Sequence, residues 1–159
     1  MSKEMKRILF LWILPLLCFG CAGREAAFQE WKQYLATTSE NALDAQEAAR
    51  LMGRVWKCEK DHILPSMWEH ARGTNQVDAV AACSILTSFA QVPPWTESDQ
   101  LKTIAEQIDS NNLLNHMNSM ETNGLSARWQ DIHRSNIESL KEILEPSPAG
   151  DVLKAAPEE

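Results

Sequence analysis

No stretch of this chain alternates apolar and polar residues long enough to make a half-buried strand, whereas apolar residues recur at steps of three and four through most of it. That periodicity confines the chain to helices. A first helix is expected over 24–36, with Phe28, Trp31 and Leu35 on one face. A second is expected over 41–63, where Ala48, Leu51, Met52, Val55 and Trp56 make a stripe that His62 and Ile63 continue. Glu40, Asp44 and Glu47 sit near its N-terminus, where the helix dipole favours acids, and Pro65 is expected to end it. Residues 64–74 then read as a connector with at most one helical turn, capped by Ser66 and ended by Gly73. The third helix, over 75–91, carries Val77, Val80, Ala81 and Ser84 on one face and Ile85, Leu86 and Phe89 beside them. It is uncharged from Ala79 to Gln91, which predicts the most buried helix of the fold.

Pro93 and Pro94 break the pattern, and Thr96-Glu97-Ser98-Asp99 supplies capping groups for a fourth helix over 98–109 with Leu101, Ile104, Ala105 and Ile108 inward. The run Ser110-Asn111-Asn112 is expected to break or kink the chain before a helical stretch over 113–121, which carries Leu113, Leu114, Met117 and Met120 and closes at Asn123-Gly124. The last helix is expected over 126–144 with Trp129, Ile132, His133, Ile137, Leu140 and Leu144 in its stripe. The fold class is therefore all-α, an irregular antiparallel bundle of five or six helices in one domain over 21–145. The polar, proline-containing tail over 146–159 is expected to be disordered.

The N-terminus has a different logic. Lys3, Lys6 and Arg7 precede an apolar run from Ile8 to Leu17, and Cys18, Phe19, Gly20 and Cys21 follow. A positive region, an apolar region and a small residue, in that order, make a secretory signal. The apolar run falls short of the roughly 20 residues a membrane-spanning helix needs and contains Pro15. Gly20-Cys21-Ala22 resembles the lipobox of bacterial lipoprotein precursors, with Cys18 where that family usually has an aliphatic residue. The resemblance covers residues 1–22. It implies cleavage after Gly20, a diacylglyceryl group on the Cys21 thiol, and a domain tethered in the periplasm. Ala22 resembles the sorting signal for the outer membrane. The competing reading is a conventional signal or an uncleaved anchor.

Removing residues 1–20 leaves 12 bases and 21 acids, a net charge of −9. Such a field repels nucleic acid and anionic headgroups, so the lipid alone would hold the chain at the membrane. Besides Cys21, two cysteines remain, Cys58 and Cys83. An oxidising compartment predicts that they pair, closing a loop of about 26 residues that stabilises the fold by roughly 3–4 kcal/mol. The alternative is two buried free thiols.

Motifs for chemistry are missing. Cys58 and His62 share a helical face, but no second Cys/His pair stands at a zinc-type spacing. His62, His70, His116 and His133 are dispersed, and no hydrolase, zincin or phosphate-loop signature occurs. Glu69 and His70 are helix neighbours that do not face each other. The expectation is a protein that is not an enzyme and carries no cofactor. Of the five tryptophans beyond the signal, Trp31, Trp56 and Trp129 lie on apolar stripes and read as core. Trp68 and Trp95 fall in breaks between helices, where each either caps the core or anchors a partner.

The functional expectation is a membrane-anchored, non-enzymatic interaction or assembly factor whose partner is another envelope protein. Its plan of lipid anchor and small helical domain resembles that of secretion pilotins and of immunity or exclusion lipoproteins. The likeness is one of plan, and no residue role carries over. The alternative is a carrier with a lipid or other hydrophobic molecule between its helices.

Overall fold

The computed structural model describes residues 23–38, 45–59, 62–91 and 98–145. The signal, Cys21, the Pro93-Pro94 break, Trp95 and the C-terminal tail lie outside these residues. All regular structure among the described residues is helical. We number the helices α1 (23–37), α2 (Ala45–Glu59), α3 (Ile63–Ala71), α4 (Gln76–Ala90), α5 (Asp99–Glu106), α6 (Ser110–Asn118) and α7 (Ala127–Leu144). This is an all-α fold, with one or two helices more than the sequence suggests. None of the described helices is long and apolar enough to cross a membrane.

The chain divides after Ser66 into two compact units. In the first unit, α1 and α2 form an antiparallel pair. Arg24, at the start of α1, donates from Nε to the Cys58 carbonyl at 3.1 Å, near the end of α2. Glu30, further along α1, pairs with Arg54, which stands earlier on α2. Only opposite chain directions satisfy both contacts. Ala27, Phe28, Trp31 and Leu35 of α1 are buried, as are Leu51 and Val55 of α2. Trp56, expected in the core, is only half-buried. Glu59 is the one buried acid among the described residues, and the Arg24 guanidinium lies 3.8 Å from its carboxylate.

The second unit begins at Met67 and is organised around α4. Every residue of α4 from Ala79 to Thr87 is buried, so the helix has no solvent face over two and a half turns. Helix α7 packs most extensively against it, and α5 and α6 also touch it. Asn75 caps α4 by accepting from the amides of Val77 and Asp78, satisfying two N–H groups that have no helical acceptor. Asp109 caps α6 through the Asn112 amide at 3.0 Å, which is why Ser110-Asn111-Asn112 starts a helix rather than breaking one. Asn123 and Gly124 belong to the connector before α7, not to a helix end, because α6 already stops at Asn118. Gln130 of α7 donates to the carbonyls of Thr122 and Leu125 and pins that connector.

The largest departure from the sequence reading lies at 63–71. Pro65 does not end a helix. It sits in the first turn of α3, where a missing N–H costs nothing and the ring's fixed φ suits a helix. The expected connector is therefore a nine-residue helix, and Ser66 lies inside it. Helix α5 departs in another way. Leu101, Ile104 and Ala105, expected to face inward, are only half-covered, and Ile108, beyond the helix end, is the one of the four that is buried.

Burial ranks the substitutions. Replacing Leu113, wholly buried on α6, by alanine should cost about 2–5 kcal/mol in urea unfolding. Replacing Arg134, in an exposed pair with Asp131, should cost less than about 1 kcal/mol.

Candidate functional site

Helix α3 turns Met67 and Ala71 inward, four residues apart, and both are buried. Trp68 follows Met67 in sequence and is half-buried at the edge of that face. The end of α3 leaves carbonyls without helical donors, and the chain supplies three. The Arg72 amide donates to Trp68 O at 3.1 Å and the Gly73 amide to His70 O at 3.1 Å. His116, from α6, places Nε2 2.8 Å from Ala71 O. A carbonyl only accepts, so the imidazole carries its proton on Nε2 in this contact. A Cβ at position 73 would stand 3.2 Å from His70 O, which makes glycine the residue that closes this end.

These contacts bring two further groups onto Trp68. The Arg72 guanidinium lies over the indole, 4.7 Å from its centre, in cation–π range. The His116 ring meets it edge-on at 6.1 Å and 67°. The result is a platform of one aromatic, one guanidinium and one imidazole, with Trp68 and His116 half-buried and Arg72 exposed. Of the residues singled out by sequence, Trp68 alone belongs to it, and Trp68 stands on a helix rather than in a loop. Trp95 lies outside the described residues. Arg72 has a sequence signal in its position four residues after Trp68, which puts it one turn along. His116 has none, because 44 to 48 residues separate it from Arg72 and Trp68.

The two cysteines do not form the expected disulfide. Both are free thiols. Cys58 is half-buried on α2 in the first unit, whereas Cys83 is sealed in the core of α4 in the second. Burial pushes the Cys83 thiol up to about 12, so it presents almost no thiolate near neutrality. The Cys58 and His62 pair gathers no further ligands. Among the described residues no group of three or more His, Cys, Asp or Glu is placed to hold a metal ion.

Helix α7 carries a second polar feature. His133 and Asn136, one turn apart, are buried with exposures of 8% and 9%. His133 Nδ1, Asn136 Nδ2 and, on α4, Thr87 Oγ1 have no hydrogen-bond partner among the described residues. Burial pulls the His133 pKa below its ordinary value of 6.5, against a smaller opposing effect of its hydrogen bond with the Met117 backbone. Burial thus favours the neutral imidazole of His133 in the core.

Comparison with known proteins finds no match: no family profile, no curated protein and no solved structure.

Two outcomes follow from these side chains. Iodoacetamide should modify Cys58 in the native protein while Cys83 reacts only after unfolding, and peptide mapping by mass spectrometry separates the two. For His133, the unfolded chain binds a proton below about pH 6.5 that the folded chain resists. Stability should be fully present above that pH and fall as the pH drops from it toward the lowered folded-state pKa. Replacing His133 by glutamine, which keeps a donor for Met117, should flatten that part of the stability–pH curve measured by denaturant titration.

Proposed function

We propose that the chain is a lipid-anchored protein of the bacterial envelope that works by holding another protein against a helical face. The observation that carries the binding role is the platform of Trp68, Arg72 and His116. It sets a partly exposed indole against a guanidinium over its ring and an imidazole that meets it edge-on, where α6 reaches the end of α3. Tryptophan and arginine are the side chains most often found to dominate binding energy at protein interfaces. Their mutual contact here fixes both rotamers before a partner arrives, which lowers the ordering cost of association. Gly20-Cys21-Ala22 behind the apolar run supports the anchor, with Cys21 as the lipid-bearing residue and the periplasmic side of the outer membrane as the site of action. No catalytic role is assigned to any residue.

Labelled palmitate should enter the wild-type protein, and Cys21→Ser should abolish the label. Crosslinking in intact cells should recover a specific envelope protein with the wild type, and Trp68→Ala should reduce recovery by about thirtyfold in affinity, the effect of losing an interface anchor worth roughly 2 kcal/mol. Circular dichroism must show the variant still helical. Co-purification of a lipid with no protein partner would replace the binder by a carrier.

A further inference from the structure

The chain repeatedly neutralises its surface bases in one way. An acid stands three residues before a base on the same helix, and the two pair: Glu47 with Arg50 at 2.7 Å, Asp99 with Lys102 at 3.7 Å, and Asp131 with Arg134 at 3.1 Å. Glu69 and Arg72 have the same order and the same spacing, yet they form no ion pair. The reason is local. Arg72 stands one helical turn from both Trp68 and Glu69, and its guanidinium lies over the Trp68 indole instead of meeting the Glu69 carboxylate. No carboxylate among the described residues pairs with its guanidinium. Arg24, Arg50, Arg54 and Arg134 each have one.

A guanidinium stacked on an indole keeps its N–H groups in the plane of the fork, pointing away from the ring that holds it. The stack therefore orders the cation without using its hydrogen-bonding capacity. His116 lies against the same indole and has its Nε2 engaged with Ala71 O. Between Pro65 and Gly73 the chain carries one acid, Glu69, and one arginine, Arg72, and Glu69 leaves that arginine unpaired. A guanidinium without a carboxylate is a local exception on a chain whose net charge is −7. At physiological ionic strength charges more than about 8 Å away are largely screened, so a partner's carboxylate at this fork meets the Arg72 cation before the chain's overall negative field.

We propose that the Trp68–Arg72 stack receives an acidic segment of a partner protein, one carboxylate accepting two hydrogen bonds from the Arg72 fork and an adjacent apolar side chain lying against the exposed part of Trp68. This rests on the binding role proposed above and supplies the chemistry of the partner's docking segment. A bidentate carboxylate is the group that a preordered fork fits best. The apolar neighbour follows from the half-exposed indole beneath it.

The test uses the full chain in detergent, with nitrogen-15 detection of the Trp68 indole and Arg72 Nε resonances. The probe is an end-capped peptide of alternating glutamate and leucine, with a lysine–leucine peptide as its counterpart. The acidic peptide should shift both resonances saturably, and the basic one should shift neither. Arg72→Gln, an exposed change that leaves the core intact, should weaken binding about tenfold or more. Arg72→Lys should not restore it, because an ammonium keeps the charge but loses the planar fork. Equal binding by the Gln variant, or by the basic peptide, overturns the proposal. So does a response to phosphatidylglycerol vesicles or inorganic phosphate in the absence of one to the acidic peptide. Recovery in cells of a partner whose capture is indifferent to Arg72 overturns the proposal while leaving the binding role standing. A peptide response without any cellular partner does the reverse.

Discussion

Helix α4 sets the terms for the second unit. A helix buried on every face cannot be stabilised by one neighbour, because an apolar surface that wraps the full circumference must be covered from several directions. Helices α5, α6 and α7 supply that cover. Their own sequences are correspondingly one-sided, with an apolar stripe and polar residues elsewhere, charged on α5 and α7 and uncharged Ser and Asn on α6. The small residues of α4 matter as much as its large ones. Ala79, Ala81, Ala82, Cys83 and Ser84 let neighbouring backbones approach, while Val80, Ile85, Leu86 and Phe89 fill the space between them. Because the whole circumference is occupied, polar groups facing α4 have little access to water, and the unpartnered Thr87 hydroxyl is one result.

Much of this was legible in the sequence because burial leaves a periodic trace. The uncharged run from Ala79 to Gln91 marks α4 as the most buried helix, and the buried positions Phe28, Trp31 and Leu35 of α1 follow from their three- and four-residue spacing. The failures have equally specific causes. Pro65 reads as a helix stop, but proline's effect depends on position. In the first turn it is permitted, and in the interior it is not. Ser110-Asn111-Asn112 reads as a break because Ser and Asn favour turns, yet Asp109 before it provides the cap that starts α6. A disulfide between Cys58 and Cys83 follows only from compartment and cysteine number, quantities that carry no information on where two thiols lie.

The candidate site shows the same division. Trp68 could be singled out for its size and its place between longer helices, and Arg72 is reachable from it by helical spacing. His116 could not be found, since its contact with Ala71 depends on how α6 meets the end of α3, a tertiary fact without a local signature. The surface charges illustrate the converse. Pairs such as Asp131 with Arg134 are readable from spacing, but exposed pairs contribute little to stability. Core burial and surface pairing are thus both readable from local spacing, though only the first holds the fold together, and the platform joins one such local contact, Trp68 with Arg72, to a long-range one, His116.

Proline's place at the head of α3 has a geometric consequence for Trp68. The pyrrolidine ring clashes with the carbonyl four residues back, so the helix cannot grow regularly through Pro65 toward α2. It acts as a phase reference: the azimuth of Trp68 about the α3 axis is counted from Pro65, three residues earlier, and not from anything upstream. A residue added between Pro65 and Trp68 turns everything after it by about 100° relative to that reference. Arg72, four residues on, turns with the indole and keeps its place over the ring, whereas His116 belongs to α6 and does not turn with them. The contact a helix makes with itself thus tolerates a change of length that its contact with a neighbouring helix does not.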